Sequence, residues 1–410
     1  MKELVLEAER CLKCKNPRCS ENCPINTKIP KVIEHYIKGE REAAGEILFN
    51  NNPLSVVCSI VCPHEKQCMG NCIRGIKGEP IRFPEIEYEI SLEYLKNMKV
   101  EKIKKNGKKV GIVGAGPAGI VVGIILAKKG YSVTIFESRN KIGGVLRYGI
   151  PEFRLDRKIL DMYEEYLIEL GVKIRLNTLI GPVLSINKLF EDGYKAIFIG
   201  TGVWNARTLG IKGESLGNVH YAIDYLKHPK YFRLGDKVNV IGAGNVAMDS
   251  ARSAKYFGAK DVTVYFRGER EQMEATKTEI YEAEKEGVKF EFCKTPIEIT
   301  EEGVVFSEVK VRENLDGKYE FTNISGSEKM YEGTSTIIAI GQVPRNNIVR
   351  NTTGISTTDN GLIITNEYGH TSREGIFACG DVVNGPKIVV QAVVEAKKVA
   401  ESIDRYCNNF

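Results

Sequence analysis

The 410-residue sequence has no apolar run long enough to cross a bilayer, no low-complexity tract and no strong charge of one sign. Its longest apolar stretch, Gly119 to Ala127, falls far short of the roughly 20 residues a spanning helix needs. It sits instead inside the helix of a nucleotide-fold unit. The opening MKELVLEAERC is charged and runs straight into cysteines, unlike a secretory signal, so a cytoplasmic protein is expected. Net charge is only +5, with 42% hydrophobic and 27% charged residues, a composition ordinary for a soluble protein of two to four domains. The most basic stretch, Lys96–Lys109, carries Lys96, Lys99, Lys102, Lys104, Lys105, Lys108 and Lys109. It lacks the interleaved aromatics of a nucleic-acid surface and joins two domains. It reads as a solvated linker that could face an acidic partner.

Cysteine, by contrast, is plentiful and unevenly placed. Eight of the eleven fall within the first 72 residues. The first block is Cys11-x2-Cys14-x4-Cys19-x3-Cys23-Pro24, and the second is Cys58-x3-Cys62-Pro63-x4-Cys68-x3-Cys72. A disulfide framework would need an oxidising compartment and usually a small domain short of core, and neither applies. Thiolates at these spacings, two of them followed by proline, suit cubane iron–sulfur clusters. Structural zinc is the alternative, but gaps of four and five residues fit zinc knuckles poorly. Cys293, Cys379 and Cys407 are isolated and read as small core or surface residues.

Between the cysteine blocks, residues 1–95 look helical. Ile29-Pro30 opens a helix over Lys31–Lys38, Arg41–Phe49 is a second amphipathic run, and Asn50-Asn51-Asn52-Pro53 breaks it. Glu85–Met98 reads as a helix leading into the basic linker.

Two βαβ units follow. The first has the strand Val110–Val113, the turn Gly114-Ala115-Gly116-Pro117-Ala118-Gly119, the helix Ile120–Lys129 and the strand Val133–Phe136. Its first glycine permits the tight turn, the second lets the backbone approach a pyrophosphate, and the third lets helix and strand pack closely. Free N–H groups and the dipole at a helix N-terminus favour that anion. Glu137 closes the next strand, placed to accept hydrogen bonds from a ribose diol. The second unit runs Val238–Ile241, Gly242-Ala243-Gly244-Asn245-Val246-Ala247, Met248–Phe257 and Val262–Phe266. Its next strand ends in Arg267, followed by Arg270, where an acid would repel the 2′-phosphate of NADP and arginine offers it a planar fork. NADPH is therefore expected over NADH. The competing reading pairs both arginines with Glu269, Glu271 and Glu274. The tail returns to nucleotide-fold signals: a strand at Thr336–Ile340, another at Gly375–Cys379 ending in Gly380-Asp381, then a helix at Val390–Tyr406. The second unit thus reads as inserted in the first domain.

This order resembles the two-dinucleotide-domain flavoprotein reductases. The resemblance implies FAD on the first loop, with Gly380 and Asp381 at the ribityl and phosphate groups. The helix beginning near Val389-Val390 would direct its positive end at the flavin. The disulfide-forming Cys-x-x-Cys of the thioredoxin-reductase branch is missing. The chain as a whole resembles the small (beta) subunit of bacterial glutamate synthase, the large subunit of NADH-dependent ferredoxin–NADP oxidoreductase and the amino-terminal half of dihydropyrimidine dehydrogenase. Its marks are "NNPLSVVCSIVCPHEKQCMGNC", "VGIVGAGPAGI", "IGGVLRYGIPEFRL", "IGAGNVAMDSAR" and "IFACGDVVNGPKIVVQAVVEAKKVAES".

The resemblance implies how the thiols sort. Cys11, Cys14, Cys19 and Cys72 would hold one [4Fe–4S] cluster, and Cys23, Cys62 and Cys68 the second. Glu87 falls at the second cluster's non-cysteine fourth position, which leaves Cys58 spare; the rival reading makes Cys58 the ligand. Gly144 and Gly202 join the FAD contacts. Where relatives carry a doubled arginine, this chain has Arg267-Gly268, and where they carry a later arginine it has Lys277. The 2′-phosphate site would be rebuilt from Arg267, Arg270 and Lys277, or preference has drifted toward NADH. The expected architecture is α/β: a helical iron–sulfur domain over residues 1–105, an FAD domain over 106–232 and 339–410, and an inserted NAD(P)H domain over 233–338. The expected function is hydride transfer from NAD(P)H to FAD, then single electrons through two clusters to a redox partner subunit, with no general acid or base. A glutamate synthase large subunit is the first candidate partner. Bifurcating ferredoxin–NADP oxidoreductase, sulfide dehydrogenase or hydrogenase complexes are the alternatives.

Overall fold

Two prolines start two of the N-terminal helices. Pro30 and Pro84 lie in the first turns of Ile29–Ile37 and Phe83–Asn97, where a missing N–H costs nothing. The computed structural model describes residues 2–100, 103–314, 316–317, 319–345 and 347–409; Lys102 of the basic linker lies outside them. The N-terminal helices also include Lys2–Glu9, Arg41–Asn51 and Ser55–Val61. They enclose a core of Ala8, Val32, Ile33, Tyr36, Leu48, Ile86 and Ile90, with Cys68 buried in it. At Gly45 a Cβ would sit 2.5 Å from that of Tyr94, so only glycine lets these two helices close.

The chain forms two compact bodies: residues 1–147, 152–203 and 343–410, and residues 148–151 and 204–342. The first holds the N-terminal helices and a five-stranded parallel sheet. Its strands lie in the order Ile376–Ala378, Tyr194–Ile199, Lys109–Val113, Ser132–Phe136 and Lys173–Arg175. These strands read as near-continuous apolar runs because helices cover a parallel sheet. The helices Pro117–Lys128 and Val389–Asn408 pack side by side. The lysines of the basic linker are mostly exposed, yet several are anchored. Lys108 Nζ donates to the carbonyl of Cys407 and to Asn408, and Lys105 Nζ donates to that of Leu170 at 3.3 Å. The segment is docked on the nucleotide fold rather than freely solvated.

The second body has its own five-stranded parallel sheet, ordered Val219–Tyr221, Ser335–Ile338, Lys237–Ile241, Asp261–Tyr265 and Lys289–Glu291. An antiparallel sheet of Lys294–Ile299, Gly303–Glu313, Tyr319–Asn323 and Lys329–Glu332 adjoins it in sequence. Two expectations shift here. The strand near 336 pairs with Lys237–Ile241 and so belongs to the second sheet. Residues 204–232 also fall in the second body, because Val219–Tyr221 pairs with Thr336–Ile338 more than 100 residues away.

Candidate redox site

In the first body the glycine turn is close-packed around an open centre. Gly114 has φ +101°, and a Cβ there would lie 2.6 Å from the carbonyl oxygen of Gly200. A Cβ on Gly119 would lie 2.0 Å from the carbonyl oxygen of Gly114, where helix and strand meet. Gly144, at φ +53°, brings the following loop against the turn: its Cβ would stand 2.7 Å from the Cα of Gly116. Gly116 itself caps the helix that opens with Pro117, and only Gly144 and Gly200 come near a Cβ built on it, both at 3.9 Å. A concave backbone leading to a helix N-terminus is what a pyrophosphate needs. Glu137 is buried at the end of its strand. Its carboxylate accepts the N–H of Ala115 at 2.8 Å, the N–H of Arg139 at 2.9 Å and the hydroxyl of Ser138 at 3.2 Å. It is thereby fixed beside the turn, and Ala118 packs into the helix below.

Gly380 follows the strand Ile376–Ala378 with φ +75°, and its N–H donates to Glu395 at 2.8 Å. A Cβ there would lie 3.7 Å from those of Ala118 and Ala392, so the Gly380-Asp381 turn meets the glycine-loop helix. Burial pushes the Asp381 carboxyl up to about 6, and Glu395 adds to the rise. The N–H of Lys387 bonds Asp381 Oδ1 at 3.1 Å. Val390 lies in the first turn of Val389–Asn408, which no side chain caps. Gly202, at φ +67°, turns the chain after the strand Tyr194–Ile199. Sequence reasoning passed over Glu395, because a contact across 15 residues has no local signal.

The N-terminal cysteines gather into two neighbouring groups. Cys11, Cys14, Cys19 and Cys72 line one pocket, with Cys68 at its wall. Burial and the adjacent Cys72 push the Cys19 thiol up to about 11, and burial, Cys14 and Cys72 raise Cys11. Cys68 is raised by burial, then by Glu87, Cys23 and Cys19. Cys62 is raised by its hydrogen-bonding neighbour Cys58, then by burial, Glu87 and Cys68. The Cys23 sulfur lies 3.3 Å from Thr27 Oγ1. Glu87 is buried at 7% exposure, with its carboxyl pushed well up by burial and by Cys58. Among the described residues it has no hydrogen bond or ion pair. Cys58 is buried with it, so the structure brings Cys23, Cys62, Cys68, Glu87 and Cys58 together. No three His, Cys, Asp or Glu side chains among the described residues converge closely enough to chelate a single ion. A crowd of soft sulfur ligands, whose thiolates would repel one another, around an orphaned buried carboxyl fits an iron–sulfur group, whose positive irons would relieve that repulsion.

In the second body, Gly242 has φ +134° and a Cβ there would strike the carbonyl oxygen of Ala339 at 2.3 Å. Gly244 caps Asn245–Tyr256 and has open space around it, while Ala247 is fully buried and Val246 partly so. Asn245 Oδ1 accepts the N–H of Thr276 at 2.9 Å, and the N–H of Ala275 donates to Ala243 at 3.1 Å, so the segment before Lys277 folds back onto the turn. Lys277 is exposed at the start of its helix. Arg267 is exposed, stacks over the Phe321 ring at 4.5 Å and forms no ion pair among the described residues. Arg270 binds Glu284 through two bonds of 2.6 and 2.9 Å. That partner comes from the next helix, not from the neighbouring Glu269, Glu271 or Glu274.

Comparison with known proteins decides the family. Residues 182–396 match the pyridine nucleotide-disulphide oxidoreductase model, residues 112–159 an NAD(P)-binding Rossmann-like domain, and residues 1–99 dihydropyrimidine dehydrogenase domain II, 4Fe-4S cluster. The glutamate synthase [NADPH] small chain of Escherichia coli is 31% identical over 97% of this chain and 90% of its own length. The chain belongs to the glutamate synthase small-chain family. The NAD-dependent dihydropyrimidine dehydrogenase subunit PreT homolog of Salmonella typhi is 33% identical over 98% of this chain and 94% of its own length. FprA from Mycobacterium tuberculosis shares the fold at 18% identity, with a TM-score of 0.65 over 74% of this chain and 85% of that one. A 2-naphthoyl-CoA reductase aligns over 92% of this chain and 49% of its own, at 20% identity and a TM-score of 0.59. This member of the small-chain family is an NAD(P)H-dependent FAD oxidoreductase with an N-terminal 4Fe–4S domain, and it works in electron transfer. No helix among the described residues is long and apolar enough to cross a membrane.

Proposed function

We propose that the chain is the electron-delivering subunit of a glutamate-synthase-type complex, drawing on NADPH and passing single electrons by way of two [4Fe–4S] clusters. The observation that carries this reading is the match along nearly the full length of both chains to small chains named for NADPH. Gly114, Gly116, Pro117, Ala118 and Gly119 would hold the FAD pyrophosphate and Glu137 the ribose, with Gly144, Gly202, Gly380, Asp381 and Val390 around the remainder. Gly242, Gly244, Asn245, Val246 and Ala247 would hold NADPH, with Arg267, Arg270 and Lys277 toward its 2′-phosphate. Cys11, Cys14, Cys19 and Cys72 would ligate one cluster, and Cys23, Cys62, Cys68 and Glu87 the other. FAD held on its residues would supply uptake of an electron pair with release of single electrons, and clusters on the thiolates would supply one-electron carriage. The protein's share is alignment and exclusion of water, so no side chain is asked to act as general acid or base. The same reading divides the chain into an iron–sulfur domain over 1–105, an FAD domain and an inserted NADPH domain. It sets the protein in the cytoplasm, where thiols stay reduced.

One observation favours a second reading. Arg270 is engaged by Glu284, which weakens the phosphate site and suits an NADH-dependent subunit like the PreT relatives. Mixing the holoprotein with a glutamate synthase large chain tests the first reading. NADPH, glutamine and 2-oxoglutarate should then yield glutamate at a rate well above either chain alone. Dye reduction by NADH without any glutamate formation would shift the assignment to another complex.

A further inference from the structure

The pocket of Cys11, Cys14, Cys19 and Cys72 opens on a patch of exposed apolar and basic side chains. Leu12 is 56% exposed, Ile76 65% and Ile73 37%, and apolar side chains exposed together mark an interaction surface. Leu12 and Ile73 stand on the rim of the pocket itself, beside Arg18 and Arg74. Lys13, Lys15 and Lys77 complete an exposed basic border. Among the described residues none of these five cations forms an ion pair, whereas nearby Arg82 is tied to Glu3 at 2.9 Å and to Glu85 at 2.8 Å. The exposed acids in the same stretches are Glu9, Glu21 and Glu79, so the cations stand five to three.

We propose that this patch is the docking face for the electron-accepting subunit, and that it takes a partner surface with an apolar centre and a surplus of carboxylates. The inference rests on the reading above that electrons leave through the N-terminal thiolate sites. Electron tunnelling weakens steeply with distance, so an acceptor must come close to the last donor, and these four thiols line the pocket that opens on this patch. An apolar centre supplies desolvation, while unpaired cations of one sign steer the encounter and select an acidic face over a basic one.

Two one-electron proteins serve as probes on the full-length holoprotein: rubredoxin, which is acidic, and cytochrome c, which is basic. Each NAD(P)H oxidised reduces two probe molecules and releases one proton. Rates are expressed relative to dye reduction and iron content, so a lost cluster is separated from a lost encounter. Rubredoxin reduction should be the faster, should slow as salt rises from about 50 to about 300 mM, and should fall roughly tenfold in the Arg18→Glu, Arg74→Glu double variant. Cytochrome c should gain from the same reversal. Arg74→Glu alone, in an exposed turn, should show a smaller shift of the same sign if the double variant fails to retain iron. An unchanged rubredoxin rate with iron retained, or equal rates for the two probes, overturns the docking assignment. So does a reversal that moves only the cluster's potential, which would mean that the cations serve the cluster. Failure of the parent reading looks different: the unmodified protein would then contain no iron or reduce no dye with either nucleotide.

Discussion

Thr27 Oγ1 lies 3.3 Å from the Cys23 sulfur, and the same hydroxyl is 3.4 Å from Asn51 Nδ2. Asn51 in turn accepts from Lys397 Nζ, on the helix that begins at Val389. A hydroxyl donating to a thiolate stabilises the negative sulfur, and more so the more charge the ligand carries. Thr27→Val keeps the shape and removes that donor. The reduction potential of one cluster is expected to fall by on the order of 40 mV, from about 1 kcal/mol for such a bond and one electron transferred. An EPR-monitored redox titration reads the shift. Two unmoved potentials would mean that Thr27 only packs.

Glu87 and Cys58 are both buried beside Cys62, which makes them the rival candidates for one ligand position. A carboxylate without a cation in a buried site is costly, and iron would relieve that cost. Glu87→Ala is therefore expected to disturb one cluster only, altering its EPR signal or converting it to a three-iron form. Cys58→Ser should leave iron near the roughly eight atoms that two cubanes require. The opposite pattern would put Cys58 inside the ligand set.

The parts of this fold that could be read in the sequence are those whose cause is local. Gly114 and Gly242 announce their turns because positive φ and a carbonyl within 2.6 Å or less of any Cβ admit nothing larger. The strands beside them show as short apolar runs because both faces of a parallel sheet are covered. What stayed hidden depends on pairings distant in the chain. Val219–Tyr221 joins the second sheet through residues 336–338, so the change of body near 204 has no signal of its own. Arg270 finds Glu284 across a helix rather than its acidic neighbours, and Lys105 and Lys108 find carbonyls that no charge pattern reveals. Thr27, Asn51 and Lys397 are three ordinary residues until the helices bring them together.

Asp381 gives the protein a pH dependence of defined sign. Its carboxyl rises from 3.8 to about 6, chiefly through burial. Between those values the folded protein holds a proton that the unfolded chain has released. The group's contribution to stability is therefore greatest at low pH and is lost as pH climbs through about 4 to about 6. With partial solvent access the loss is on the order of 2 kcal/mol. In flavin-free protein, Asp381→Asn should gain that much on the unmodified chain between about pH 4 and pH 7, read by urea unfolding. Parallel stability curves would mean that the carboxyl is solvated in the folded state.

The nucleotide preference is expected to turn on Arg267. It follows the strand Asp261–Tyr265 of the second glycine unit, is held by the face of Phe321 and is spent on no carboxylate among the described residues. Arg270 must share or break its two bonds to Glu284 before it can meet a phosphate. A charge-assisted bond to a 2′-phosphate contributes about 1.5–3 kcal/mol, against little for a cation already paired. In steady-state dye reduction the unmodified protein should prefer NADPH. Arg267→Ala should raise the KM for NADPH by roughly tenfold or more while leaving that for NADH nearly unchanged. Arg270→Ala should do less, because its charge is already spent on Glu284. Equal damage to both nucleotides in Arg267→Ala would assign that side chain to supporting the Phe321 sheet. Preference for NADH in the unmodified protein would remove the phosphate site altogether and strengthen the likeness to the NAD-dependent relatives.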